Sequence, residues 1–94
     1  MKIELIYFDG CPNADRARAN VRRALDIAGV RAESIEWEQG NPAAPPYVRD
    51  YGSPTVLVNG RDVTGAGGRV AGSSCRAEGA PSVESIRAAL RKNE

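Results

Sequence analysis

Ninety-four residues match the length of one domain, here taken as 1–94, with room for one sheet and a few helices but not a second core. Hydrophobic residues at 41% and charged ones at 27% are the proportions of a globular domain and exclude a disordered chain. Thirteen basic against twelve acidic residues, no histidine and two cysteines exclude an imidazole triad or base, an HExxH zinc site, a Cys₄ ribbon, an iron–sulfur cluster, and a global field for nucleic acid or anionic lipid.

The N-terminal stretch Met1–Phe8 has one positive charge and a short apolar run broken by Glu4, so it does not read as a secretory signal. Nowhere does the chain approach the roughly 18 consecutive apolar residues that span a bilayer. The expected location is the cytoplasm, where thiols are kept reduced; Cys11 and Cys75 therefore read as reactive or metal-binding before they read as a disulfide staple.

Residues 3–8 are apolar and β-rich, as in a strand buried on both faces. Asp9-Gly10-Cys11-Pro12-Asn13 punctuates the chain. From Ala14 the apolar positions Ala17, Val21, Ala24, Leu25 and Ala28 recur at helical spacing until Gly29. Arg16, Arg18, Arg22 and Arg23 fill the other sides and read as a solvated face. Ala32–Glu38 alternates as a strand, with Ile35 and Trp37 on one side and Ser34, Glu36 and Glu38 on the other.

A proline-rich loop over 41–46 precedes a short helix at Tyr47–Tyr51, closed by Gly52. Thr55–Val58, Asn59-Gly60 and Arg61–Thr64 predict a hairpin, because a type I′ turn needs positive φ at both central positions. Residues 65–80 form a glycine-rich loop holding Cys75. Gly65-Ala66-Gly67-Gly68 lacks the spacing of a phosphate cradle, so no cofactor is expected. Ser82 is a good N-cap for a last helix marked by Val83, Ile86 and Leu90. The order is βαβαββα.

Two segments make this order specific. Cys11-Pro12-Asn13-Ala14 follows the first strand, and Gly52-Ser53-Pro54-Thr55-Val56-Leu57-Val58-Asn59-Gly60 follows later. With them the chain resembles the thioredoxin-like superfamily over nearly its whole length. The resemblance implies an α/β thioredoxin-like fold: a mixed four-stranded sheet with helices on both faces. It also implies a cis Pro54 beside an active Cys11, and substrate contacts from Pro12, Ser53, Pro54 and Thr55, the Ser53 backbone pairing with an incoming peptide or glutathione like an added strand. Read without the resemblance, Pro54 is a rigid residue opening a strand.

Thioredoxins carry a second cysteine three positions after the first, where this chain has Ala14. The motif is therefore monothiol, as in some glutaredoxin-like proteins. Together with Ser74-Cys75-Arg76 it is similar to small thioredoxin-like proteins found in mercury-resistance settings.

Pro12 suits a first helical position and Cys11 the cap before it, which would set the sulfur against unpaired N–H groups at the positive end of a helix. Such positions lower a cysteine pKa from about 8.5 into the range of roughly 3.5–7.5. Asp9 and Asp15 oppose this and Arg16 offsets them, so modest activation is expected. Cys11 then serves as nucleophile toward a protein disulfide or glutathione, released by Cys75 or by an external thiol. The plainer readings are a small apolar residue at a helix end for Cys11 and an incidental loop residue for Cys75. Two alternatives remain: a soft-metal site for Hg(II) or Cu(I) made of both thiolates, and a thioredoxin-like scaffold that binds partners without catalysis through its Ser53–Pro54 edge. Trp37, Tyr47 and Tyr51 read as packing residues with no site role.

Overall fold

The computed structural model describes residues 1–64 and 80–92. Nearly all of the loop expected over 65–80 lies outside them, and so does Cys75.

Strands β1 (Lys2–Tyr7), β2 (Glu33–Glu38), β3 (Thr55–Val58) and β4 (Arg61–Asp62) form one mixed sheet in the order β2-β1-β3-β4. Helices α1 (Ala14–Ala28) and α2 (Val83–Lys92) complete the α/β domain, with a 3₁₀ helix at Pro46–Asp50. β1 runs parallel to β2, as the intervening helix requires, with Ile3 opposite Ser34 and Ile6 opposite Trp37. β3 runs antiparallel to β1, with Ile3 opposite Val58 and Glu4 opposite Leu57.

This register sorts the side chains. Ile3, Leu5, Val56 and Val58 share one face of the sheet and form the main core with Ala17, Val21 and Ala24 of α1 and Ile86 and Leu90 of α2. On the other face Ile6 and Leu57 pack against Val48, with Trp37, Ala44 and Tyr51 around them. Both α-helices thus share a face, and the short helix expected at 47–51 lies on the other. Among the described residues the 3₁₀ helix covers the opposite face. Pro42, Pro45 and Pro46 on one side and Gly52 on the other leave too few residues for α-helical i→i−4 bonding. The Val48 and Tyr51 N–H groups bond instead to the carbonyls of Pro45 and Val48.

α1 has the expected bounds. Gly29 stops it at φ +66°, donating its N–H to the Leu25 carbonyl, a left-handed cap that glycine adopts without strain. Arg18 departs from a merely solvated face: it makes two 2.8 Å bonds to Glu36 and one of 2.6 Å to Asp15, with its guanidinium 5.6 Å from the centre of the Tyr7 ring. Asn59 and Gly60 have φ +50° and +84°, the signs that a type I′ hairpin demands. β4 is shorter than the 61–64 strand expected because Asp62 Oδ1 accepts from both the backbone N–H and the hydroxyl of Thr64, which bends the chain out of the ladder. Ser82 Oγ accepts the Ser85 N–H at 3.1 Å and so caps α2. No helix among the described residues is long and apolar enough to cross a membrane.

Candidate thiol site

β1 ends at Tyr7, and the chain turns over the next four residues. The Cys11 N–H donates to the Phe8 carbonyl at 3.1 Å, closing a turn in which Gly10 stands at φ +86°, a conformation a side chain would strain. The Ala14 N–H then donates to the Cys11 carbonyl at 3.2 Å. This corrects the expected capping arrangement. The N-cap of α1 is Asn13, at φ −89° and ψ −6° with no side-chain capping bond, so Cys11 lies two positions upstream and Pro12 precedes the helix. The Cys11 carbonyl takes up the Ala14 donor in a turn that precedes the helix. Cys11 is 7% exposed, whereas Pro12 is exposed.

The second motif reaches the same end of the sheet. The Ser53–Pro54 peptide bond is cis. Ser53 Oγ accepts the Phe8 N–H at 3.1 Å, and Thr55 Oγ1 donates to the Gly52 carbonyl at 2.6 Å. Phe8 therefore joins the two motifs, its N–H held by Ser53 and its carbonyl by Cys11. Ser53, Pro54 and Thr55 are fully buried. Of the six expected site residues, four (Cys11, Ser53, Pro54, Thr55) are buried at this junction or in the strand leaving it, and Pro12 lies on the surface beside it. Cys75 lies outside the described residues. Asp15, expected to oppose a thiolate, is bonded to Arg18. Among the described residues no group of three or more histidine, cysteine or acidic side chains could hold a metal ion.

Sequence reasoning missed Gln39, which is 4% exposed. Its backbone N–H donates to the Tyr7 carbonyl at 2.7 Å, while Nε2 donates to the carbonyls of Tyr51 at 2.6 Å and Val48 at 3.0 Å. It thereby ties the ends of β1 and β2 to the segment that leads into Ser53. Oε1 has no hydrogen-bond partner among the described residues. A lone glutamine at a strand end carries no sequence signal for such a role. A signal did exist for Glu4, which interrupts an otherwise apolar buried strand. It is 3% exposed and accepts bonds from the Trp37 indole N–H at 2.8 Å and from the Tyr47 hydroxyl.

No protein-family model, no curated protein and no solved structure matches the chain.

Proposed function

We propose that the chain is a thioredoxin-like thiol–disulfide oxidoreductase that uses Cys11 as its nucleophile. The observation that carries this reading is the meeting of Cys11 and the cis Ser53–Pro54 bond at one end of the sheet through the two hydrogen bonds of Phe8. The sheet order β2-β1-β3-β4, with both cysteine and proline motifs at the end where β1 finishes, supports the family resemblance of the sequence.

In the reaction the Cys11 thiolate attacks one sulfur of a disulfide. A new S–S bond forms as the old one breaks, and the other sulfur leaves as a thiolate. A second thiol, from Cys75 or from a small molecule such as glutathione, then attacks the Cys11 sulfur of the mixed disulfide; the partner's remaining sulfur leaves as a thiolate and a disulfide forms between Cys11 and the attacking thiol. The two electrons that reduce the substrate come from these two thiols, and a further external thiol such as glutathione must reduce the new disulfide, itself being oxidised, before Cys11 acts again. Ala14 occupies the position of the usual resolving cysteine and can take no part. The described residues favour neither of the two other readings, soft-metal binding or a non-catalytic scaffold.

Alkylation of Cys11 followed against pH, together with mass spectrometry after exposure to glutathione disulfide, tests the proposal. The expected result is alkylation that quickens as the thiolate fraction grows with pH and a glutathione adduct on Cys11 that Cys11→Ser abolishes. The absence of an adduct on Cys11 would overturn it. In the same experiment, Cys75→Ser decides how the adduct resolves: a longer-lived Cys11 adduct in that variant assigns resolution to Cys75, and an unchanged lifetime assigns it to an external thiol.

A further inference from the structure

The sheet face away from the two helices carries a groove of about 400 Å³ whose lining includes Lys2, Glu4, Tyr47, Tyr51, Leu57 and Asn59. That volume lies within the roughly 300–1,000 Å³ usual for small-molecule sites. The groove runs from the start of β1 and the Asn59-Gly60 turn, whereas Cys11 follows the finish of β1, so it is separate from the thiol site.

Its chemistry is set by Glu4. A carboxylate this deeply buried normally has a cation beside it, yet the ion pairs among the described residues are those of Arg18 with Asp15 and Glu36. Glu4 instead accepts from two neutral donors, the Trp37 indole N–H and the Tyr47 hydroxyl, and both bonds fall on Oε2. Beside the carboxylate lie two phenol rings, Tyr47 and Tyr51, and the hydrocarbon of Leu57. Aromatic faces attract cations, while Leu57 accommodates an alkyl chain. Lys2 stands at the mouth; it is exposed, so its ammonium is solvated and screened, and it makes no ion pair with Glu4.

We propose that this groove binds a small primary alkylammonium ion, with Glu4 as its anionic anchor and the Tyr47 and Tyr51 rings as its walls. An ammonium group supplies the positive charge that the neutral donors of Trp37 and Tyr47 do not bring to Glu4.

Trp37 is the single tryptophan of the chain and is bonded to the anchor, so its fluorescence reports occupancy directly. The probes are n-butylammonium, n-butanol and butyrate, titrated at constant ionic strength, with calorimetry as a readout independent of the indole. Saturable binding is expected for n-butylammonium alone. Glu4→Gln removes the charge while keeping the shape and should weaken binding at least about tenfold, the scale of a hydrogen bond to a charged group. Tyr51→Leu should weaken it a few-fold, and Lys2→Ala should leave it unchanged or tighten it. Absence of saturable n-butylammonium binding, equal binding of n-butanol, preference for butyrate, or wild-type affinity in Glu4→Gln would each overturn the proposal. Should Glu4→Gln fail to fold, the ligand comparison and Tyr51→Leu still decide it. Because the thiol site is not involved, the result is independent of the oxidoreductase reading.

Discussion

The hydroxyl of Ser53 makes a side-chain bond between the proline motif and the turn that carries Cys11. Its oxygen is the partner of the partly buried Phe8 N–H, so Ser53→Ala leaves that donor with none, a loss of roughly 1–3 kcal/mol. For a domain of this size the expected fall in Tm is about 4–8 °C per kcal/mol. Thermal unfolding followed by circular dichroism checks this, and an unchanged Tm would show that the bond contributes nothing. Legibility at this scale follows bond type. Cys11, Ser53 and Pro54 stood out in the sequence because their residue types and order are distinctive. Gln39 did not, because its role consists of bonds to the carbonyls of Tyr7, Val48 and Tyr51, and a carbonyl belongs to any residue.

Among the elements, α1, α2 and the hairpin turn were readable because each is determined locally. The glycine stop of α1, the serine cap of α2 and the Asn-Gly turn act within a few residues of themselves. The 3₁₀ helix was readable as a short helix, but the face it covers was not, since that depends on which face the other helices take. α2 owes its place to burial: Ile86 and Leu90 are almost completely enclosed in the core that α1 shares. Ile86→Ala should cost about 2–5 kcal/mol through lost contacts and the remaining cavity. That is a large part of the 5–15 kcal/mol or so by which such domains are stable. Chemical denaturation should show a lowered midpoint. A change at the exposed Glu84 to Gln should stay within about 0.5 kcal/mol, and equal effects at the two positions would contradict the assigned packing.

Across the whole molecule the two faces of the sheet differ in kind. One is an aliphatic core under two helices. The other holds a buried carboxylate bonded to an indole and a phenol on the side of the short 3₁₀ helix. The polar face makes stability depend on pH at the alkaline end. Burial, then the hydrogen bond and negative charge of Glu4, push the Tyr47 phenol up from 10.0 to about 12. The folded state therefore holds this proton more tightly than the unfolded chain, and the associated stability is complete below about pH 10 and lost as pH rises through about 12. Because Tyr47 is 37% exposed, solvent screens the effect. Ultraviolet titration of tyrosinate should show one of the three tyrosines ionising near pH 12. Tyr47→Phe should remove that step and flatten the alkaline decline in stability; an unchanged titration would contradict the assignment to Tyr47.

The sequence by itself determined the order and bounds of most elements, the turn residues that separate them, and the two motifs that single out Cys11 and Ser53-Pro54. These features rest on backbone preferences and side-chain periodicity, which act over a few neighbouring residues. Only the tertiary structure decided that both α-helices share one face, that Phe8 joins the cysteine turn to the proline turn, and that Glu4 meets Trp37 and Tyr47. The bonds of Phe8 and Glu4 link positions 33 to 45 residues apart. They depend on strand register and on which face each side chain takes, because a shift of one residue would turn Glu4 into the aliphatic core and leave its two donors without their acceptor.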